Sequence, residues 1–347
     1  MPDRGAEVGA RGGKGSGGGG PGAYAGGLDY DPAHIPVLYA EVVASLAPVP
    51  GETLIDCTAG LGGHAAEIGT RLGPTGRVVL FDLDPGNLER AEARVRAAMC
   101  PSDPGSARVI GVRENFAQAP AWAAREGVRA DLVLADLGFA STQVDDPGRG
   151  LSFRRAGPLD MRLDPDGPVT AAELVNSLDE RELADLIFRY GEERHARRIA
   201  SKLAAERRVA PIMTTDRLAS IVRSVVPRAP GSIDGATRTF QALRIATNDE
   251  IGSLEALLRS IDRWSGRTDE AGCWLNAGAR IGIISFHSLE DRPVKHAFAS
   301  VVQSGRARAI TRRPVTPADD EQRRNPRSRS AKLRVIRLDG GDAGGND

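Results

Sequence analysis

Short apolar segments alternate with helical ones in the first half of the chain, and no other feature constrains its fold as strongly. The helical segments 63–73 and 87–99 separate the first three apolar segments. The apolar segments, which have the composition of buried strands, are 53–57, 77–82, 108–112, 130–136, 279–286 and 332–338. Because strands that alternate with helices form parallel sheets, the sequence predicts an α/β fold with helices on both faces of the sheet.

The pattern changes after the fourth strand. Residues 146–170 are rich in Gly, Pro, Arg and Asp, which is typical of irregular, exposed chain, and residues 171–262 have apolar residues at helical spacing. We therefore predict an inserted helical substrate-recognition subdomain, residues 149–245. The core on either side of it is predicted to comprise residues 28–148 and 246–340.

Composition restricts the setting of the protein. Residues 1–27 are mostly Gly, Ala and charged residues, which predicts a disordered tail. No segment approaches the roughly 18 consecutive apolar residues of a membrane span. The three cysteines are scattered, which indicates a reducing cytoplasm. The 46 basic and 46 acidic residues balance, but basic residues outnumber acidic ones by eleven to three between Arg306 and Arg337. Charge segregated in this way permits nucleic-acid binding.

A glycine-rich stretch, Asp-Cys-Thr-Ala-Gly-Leu-Gly-Gly-His (56–64), follows the first strand. Dinucleotide enzymes have G-x-G-x-x-G/A at this point, and Ala65 is compatible with that motif. The discriminating residue is Asp56, an acid four residues before Gly60. That arrangement resembles the first motif of S-adenosylmethionine-dependent methyltransferases, whose ligand has no pyrophosphate.

Two further acids end strands at the same predicted edge of the sheet. Asp82 follows the second strand, where a carboxylate can accept hydrogen bonds from both ribose hydroxyls. Asp84, before Pro85, is predicted to cap the next helix. Asp136 follows the fourth strand and is expected to face the crevice at the carboxyl ends of the strands. The alternative for Asp136 is a turn-forming residue before Gly138.

Eight motifs in order resemble one family, the bacterial 16S ribosomal RNA cytosine-N4 methyltransferases, also called RsmH or MraW. The resemblance runs from His34 to Leu338. Besides residues 56–64, the motifs are Asp-Leu-Gly (136–138), Gln143 with Asp145-Asp146, Gly-Pro-Leu-Asp-Met-Arg (157–162), Tyr-Gly-Glu-Glu-Arg (190–194), Thr-Arg-Thr-Phe-Gln-Ala-Leu-Arg-Ile (237–245), Ser-Phe-His-Ser-Leu-Glu-Asp-Arg (285–292) and Asn-Pro-Arg-Ser-Arg-Ser (325–330).

The resemblance implies a Rossmann-like class I methyltransferase sheet and S-adenosylmethionine as methyl donor. It implies as target the N4 of a cytosine in 16S ribosomal RNA of the small (30S) subunit, position 1402 in the usual RNA numbering. The donor-binding positions that it implies are Gly62, Gly63, His64, Asp82, Phe116, Asp136 and Gln143. Residues 139–143 read Phe-Ala-Ser-Thr-Gln where the family usually has Val-Ser-Ser-Pro-Gln, which puts any role of the first serine in doubt. The turn at 277–279 also departs from the usual Pro-Gly-Gly.

Asp136 and His287 are the catalytic candidates. Methylation of an amino group is an in-line displacement that needs no covalent intermediate, so an acceptor for the N4 protons is the main requirement. Asp136 is predicted either to be that acceptor or to orient the methionine end of the donor. His287 follows the fifth strand and is predicted to contact the substrate; the alternative is a helix start capped by Ser288. The cysteines weigh against C5 methylation, and no motif has the spacing of metal ligands.

Arginines are expected to contact the RNA, since guanidinium groups pair with phosphate and stack on bases. The candidates are Arg154, Arg162, Arg238, Arg244 and Arg327. Phe139 and Phe153 are the aromatic residues near the predicted site on which a base could stack after leaving its helix. A homodimer is a further expectation, and no membrane partner is expected.

Other function classes stay open at this stage. A DNA amino-methyltransferase would keep the chemistry, but it usually has Asp/Ser/Asn-Pro-Pro-aromatic where this chain has Asp-Leu-Gly-Phe. A nicotinamide dehydrogenase is disfavoured by the distance between Asp56 and Gly60. A non-enzymatic RNA-binding assembly factor would be expected to have lost the donor loop, which is intact.

Overall fold

A computed structural model of the protein describes residues 36–100, 102–226 and 234–339. The predicted disordered tail, residues 1–27, lies outside the described residues. Within these ranges, no helix combines the length and the hydropathy needed to cross a bilayer.

Seven strands of the described chain form one sheet in the order β3-β2-β1-β4-β5-β7-β6. The strands β1 to β5 run parallel, and β7 is antiparallel to both of its neighbours, β5 and β6. The strands are β1 (Thr53–Asp56), β2 (Arg77–Phe81), β3 (Arg108–Val112), β4 (Ala130–Asp136), β5 (Leu275–Ser285), β6 (Ala307–Ala309) and β7 (Lys332–Leu338). This order, with its reversal between β1 and β4, confirms the predicted Rossmann-like sheet.

Helices cover both faces of the sheet. The helices are α1 (Tyr39–Leu46), α2 (Gly63–Leu72), α3 (Pro85–Met99), α4 (Ala119–Arg125), α5 (Ser141–Asp145), α6 (Ala171–Ser177), α7 (Glu180–Gly191), α8 (Ala196–Val209), α9 (Thr215–Val225), α10 (Thr237–Asn248), α11 (Glu250–Trp264), α12 (Ser288–Gln303) and α13 (Asp319–Arg324). Successive strand residues face opposite sides, so Leu54 packs in the core with α1, α2 and α3 while Ile55 packs in the core with α4, α11 and α12.

Local capping fixes several helix starts. Asp84 accepts hydrogen bonds from the backbone N–H of Gly86 and Asn87, which confirms the predicted cap of α3. Thr170 and Asp179 form capping boxes with the acids three residues later, at the starts of α6 and α7.

Helices α6 to α10 contribute most of a third hydrophobic cluster, which contains Leu159, Ile199 and Leu243 and is separate from the two clusters on the sheet. The predicted boundary between residues 245 and 246 falls inside α10. The division into a core and an inserted subdomain at residues 149–245 stays a prediction, since α10 continues through that boundary without interruption.

Candidate functional site

The carboxyl ends of β1, β2, β4 and β5 open into a cavity of about 990 Å³. The loops that follow these strands line it, together with residues of α10 and the starts of α11 and α12. Ligands of open α/β sheets bind at this edge, next to the point where the strand order reverses. The volume is in the range of pockets that hold nucleoside-sized ligands.

The glycines after β1 are required mainly by packing within the protein. A Cβ on Gly62, whose φ is +75°, would lie 2.8 Å from the Cα of Ala91 on α3, and a Cβ on Gly63 would lie 2.4 Å from the ring of Pro36. Gly60, with φ +51°, lines the cavity, and a Cβ there would meet nothing nearer than 3.9 Å. Two of these glycines therefore let α2 pack closely, and Gly60 provides the turn beside the cavity.

Three carboxylates face the cavity from the ends of β1, β2 and β4. Burial raises the pKa of Asp56 to about 7, although the N–H of Thr58 and the nearby His64 offset part of the effect. Burial also raises the pKa of Asp82 to about 6, against the hydrogen bonds that it accepts. The Oδ1 atom of Asp136 is buried and has no hydrogen-bond partner among the described residues. This concentration of acidic groups favours a positively charged ligand.

Asp82 connects the glycine loop to the turn after β2. Its Oδ2 accepts a hydrogen bond from the N–H of Gly60 at 2.8 Å, and its Oδ1 accepts one from the N–H of Asp84 at 2.8 Å. Each carboxylate oxygen has a second lone pair, so both can still accept a bond from a ligand hydroxyl.

His64 lies at the start of α2 and is almost completely buried. Its Nε2 is 3.7 Å from the Oδ2 of Asp136, and neither ring nitrogen has a hydrogen-bond partner in the described part of the chain. Buried polar groups normally have hydrogen-bond partners. The unpaired atoms of His64 and Asp136 therefore indicate a ligand that would supply the missing partners. Asp136 itself is held by its N–H, which donates to Thr58 Oγ1 at 2.6 Å.

Gln143 and Phe116 both line the same cavity. The amide of Gln143 accepts from the N–H of Ala140 at 2.9 Å and donates to Asp84 at 3.2 Å, so in this structure it closes the first turn of α5. Phe116 follows β3 and packs against the hydrophobic core on one side. Both residues lie where a ligand would reach them.

A network of charged groups from α10, α11 and the start of α12 forms one wall of the cavity, called here the charged wall. Nε2 of His287 lies 3.1 Å from Glu290 Oε1, and Arg244 donates to both carboxylate oxygens of Glu250 at 2.8 Å each. Burial alone would raise the pKa of Glu290, but the neighbouring His287, the backbone N–H of Phe286 and the charge of Arg244 together outweigh it, and the pKa is lowered.

Glu250, His287 and Glu290 each place one potential metal-ligand atom within 4.8 Å of the others. The guanidinium of Arg244 occupies both oxygens of Glu250, which favours a closed ion-pair network. The sequence offered a helix start capped by Ser288 as the alternative role of this motif. The N-cap of α12 is instead His287, one residue earlier. Glu290, in the first turn of α12, accepts a hydrogen bond from the N–H of Phe286 at 2.7 Å.

Two of the remaining arginines predicted to bind RNA, Arg154 and Arg327, lie on the surface. Arg154 is exposed at the cavity and has no ion pair within the described ranges, whereas the guanidinium of Arg327 lies 2.8 Å from Asp145 on the surface. Their contact with RNA stays a prediction.

Arg162 and Arg238 are used in internal contacts. Arg162 forms two hydrogen bonds with Asp160, at 2.9 and 2.7 Å. Arg238 donates to the backbone oxygen of Glu192 at 3.2 Å, close to the start of α10. These pairings indicate roles in shaping the helical region, and an RNA contact for either residue stays a prediction as well.

Sequence reasoning missed one contributor to the charged wall of the site, Glu250, and did not anticipate that Glu290 would lie against His287. Glu290 was part of a quoted motif, and its position three residues after His287 was a signal for a capping box. Nothing near Glu250 in the chain indicated that it would bind Arg244.

The sheet order, with an antiparallel strand between β5 and β6, and the acid-lined cavity at its carboxyl edge define a Rossmann-like class I methyltransferase. The chain belongs to the MraW methylase family, whose model matches residues 31–339.

Close relatives have the same name in different bacteria. A "Ribosomal RNA small subunit methyltransferase H" of Rhodospirillum centenum is 44% identical over 328 residues, covering 89% of this chain and 93% of the relative. The protein of that name from Sorangium cellulosum is 44% identical over 310 residues, covering 89% and 91%. The one from Symbiobacterium thermophilum is 43% identical, covering 89% and 98%.

Proposed function

We propose that this protein transfers a methyl group from S-adenosylmethionine to the N4 of a cytosine in 16S ribosomal RNA. The observation that carries the proposal is the 44% identity, over 89% of the chain, to proteins named for methylation of small-subunit ribosomal RNA. The family resemblance of the motifs specifies the target as cytosine 1402, in the small (30S) subunit. A cytoplasmic location fits this substrate, and a homodimer stays a prediction.

The residues of the cavity fit the proposed donor. S-adenosylmethionine has a sulfonium and an ammonium group, and Asp56, Asp82 and Asp136 provide negative charge beside them. The unpaired buried atoms of His64 and Asp136 offer hydrogen-bonding positions that a polar ligand would fill. A pyrophosphate, which dinucleotides have, would be repelled by the same carboxylates.

Seven residues are proposed to hold the donor. Asp82 would accept hydrogen bonds from the ribose hydroxyls, and Phe116 would pack against the adenine. Gly62 would contribute only backbone, since its α-carbon faces Ala91. The others, Gly63, His64, Asp136 and Gln143, would surround the methionine end.

Bound at this edge, S-adenosylmethionine would supply a methyl group attached to a sulfonium. An in-line nucleophile can attack that methyl carbon, with the thioether as leaving group. The task of the chain is then to hold the cytosine N4 in line and to accept a hydrogen bond from it, because its lone pair is delocalised into the ring. Asp136, with its unpaired Oδ1 beside the cavity, is the proposed acceptor, and this role is the alternative to a contact with the methionine end of the donor. His287, oriented by Glu290 at 3.1 Å, is the second candidate for taking the released proton.

The helical region is proposed to recognise the shape of the RNA around the target base. Helix α10 and the segment before α6 both reach the cavity, and Arg154 and Arg155 lie at its rim. Arginines at such a rim would bind phosphates, which position the RNA without reading its sequence.

Donor binding is expected to weaken at low pH because of Asp82. The carboxyl group has a pKa of about 6 in the folded protein, so it is ionised above that pH and protonated below it. Only the ionised form can accept two hydroxyl hydrogen bonds in addition to those from Gly60 and Asp84. Calorimetry with S-adenosylhomocysteine between pH 8 and pH 5 should show affinity falling below about pH 6, by at most about tenfold per pH unit.

The Asp82→Asn variant distinguishes the titration of Asp82 from other pH effects on donor binding. It should bind S-adenosylhomocysteine about tenfold more weakly at pH 8, consistent with loss of a charged acceptor worth about 1.5 kcal/mol. The pH dependence that it retains belongs to Asp56, whose pKa is about 7. A 2′,3′-dideoxy analogue, which has neither hydroxyl, should bind the wild type and the variant equally. Equal binding of S-adenosylhomocysteine itself to the two proteins would contradict the assignment.

The proposed reaction is tested by mapping the modified nucleotide. Small ribosomal subunits from a strain lacking the enzyme are incubated with the protein and with methyl-labelled donor, and the RNA is digested and analysed by mass spectrometry. One N4-methylated cytosine at position 1402 is expected. Label on another atom or nucleotide, or none on subunits and none on free 16S RNA, would refute the proposal.

A further inference from the structure

Phe139 has an aromatic face that the fold leaves available. Five phenylalanines line the cavity, and four of them are engaged in packing: Phe81 is buried, Phe116 and Phe286 pack against the two cores of the sheet, and Phe153 packs against Phe240 at 4.7 Å. Phe139 is 37% exposed, and it is the only large exposed apolar side chain of the described residues that lines the cavity.

The ring of Phe139 is backed by a fixed cation. The guanidinium carbon of Arg244 lies 4.6 Å from the ring centroid, within the range of a cation–π interaction. Both hydrogen bonds from Arg244 to Glu250 measure 2.8 Å, and the side chain of Arg244 is largely buried, so the guanidinium is held in place beside the ring. One face of Phe139 is thus held, and the exposed part of the ring lies against the cavity.

The position of Phe139 relates it to the reacting atoms. It comes three residues after Asp136, in the loop that follows β4, and that loop lines the cavity together with the glycine loop. A base taken out of an RNA helix loses its stacking, and enzymes that act on such bases replace it with apolar or aromatic side chains. A ring three residues from the proposed N4 acceptor, in the same cavity lining, can do this.

We propose that Phe139 is the stacking platform for the target cytosine, backed by the Arg244–Glu250 pair; this rests on the proposed function. The base stacks on the ring face opposite Arg244, with its N4 directed toward Asp136. Phe139 is a positioning residue, since it takes no part in bond formation. The family pattern has valine here, so the aromatic platform is a property of this chain. The pair explains why Arg244 is bound inside the protein rather than extended toward phosphate.

Three substitutions of Phe139 distinguish the effect of its aromatic ring from the effect of its apolar volume, and they test the proposed platform. Phe139→Leu keeps most of the apolar volume without the ring, Phe139→Ala removes both, and Phe139→Trp keeps an aromatic face. Base–aromatic stacking is worth about 1–3 kcal/mol, which corresponds to about a 5- to 150-fold change. With small subunits from a strain lacking the enzyme, KM for the subunit should rise by that factor in the Leu and Ala variants. It should stay within about threefold in the Trp variant.

Two further measurements complete the test: the donor affinity of each variant and the methylation of N4 by the wild-type enzyme. Calorimetry with S-adenosylhomocysteine should give donor affinities within twofold of wild type for all three variants, because Phe139 is not assigned to the donor. A Leu variant with wild-type KM would overturn the platform, and so would equal losses in the Leu and Trp variants or a parallel loss of donor affinity. If the unmodified enzyme itself leaves N4 unmethylated, the proposed function fails instead, whatever the variants do.

Discussion

The Asp136→Asn variant should lose methyl transfer by about 100- to 1,000-fold in kcat. Positive charge develops on the N4 amino group in the transition state. A positioned hydrogen-bond acceptor for that group contributes a rate enhancement of this order. Asparagine keeps the size of the side chain and the backbone contact with Thr58 Oγ1. It replaces one carboxylate oxygen by an amide NH₂, which cannot accept a hydrogen bond from N4. Single-turnover methylation of small subunits measures the loss directly.

Donor affinity distinguishes the two roles considered for Asp136. If it accepts from N4, the variant should bind S-adenosylhomocysteine within about threefold of wild type. If it orients the methionine end, the affinity should fall instead. Asp185→Asn, on the exposed face of α7, makes the same chemical change away from the cavity and serves as control. Unchanged turnover together with unchanged donor affinity would exclude both roles.

The Gly62→Ala variant should lose about 2–5 kcal/mol of folding free energy. A non-glycine residue at positive φ costs about 1–2 kcal/mol, and forcing a methyl group into packed structure costs about 1–3 kcal/mol more. Here φ is +75° and the new Cβ would lie 2.8 Å from the Cα of Ala91, where backbone must move. Urea denaturation of the two forms measures the difference in the free energy of unfolding.

Gly127→Ala is the matched control for this substitution. Its φ is +63°, but nothing lies within 4 Å of the added Cβ, so only the conformational cost of about 1–2 kcal/mol is expected. The excess loss at Gly62 then measures the contact between the glycine loop and α3. Equal losses in the two variants would show that the close approach of these two segments contributes nothing to stability.

Local sequence patterns predicted the elements that carry the site with small errors. The strands β1 to β4 end at or within one residue of their predicted ends, because each is a short apolar run that stops at an acid or a turn. The predictions were less complete at β5, which begins at Leu275, and β6 was missed. Only three residues long, with two of them exposed, β6 has no apolar pattern to detect.

The roles of the arginines show where sequence reasoning stops. Arg162 and Arg244 resemble any exposed arginine in the sequence, yet the fold pairs them with Asp160 and Glu250. The partner of Arg162 lies two residues away, but the geometry of the irregular segment decides that they pair. The pairing of Arg244 depends on the junction of α10 and α11, which no periodicity reveals.

The sequence by itself determined the sheet and the acidic edge of this protein. In a parallel sheet the carboxyl ends of strands share one edge, so Asp56, Asp82 and Asp136 had to come together once their strands were identified. The tertiary structure alone decided the charged wall, where Arg244 pairs with Glu250, Glu250 lies near His287, and Phe139 packs against Arg244. Phe139, Arg244 and His287 are far apart in the chain, and their arrangement depends on how separate helices and loops pack, which local composition does not specify.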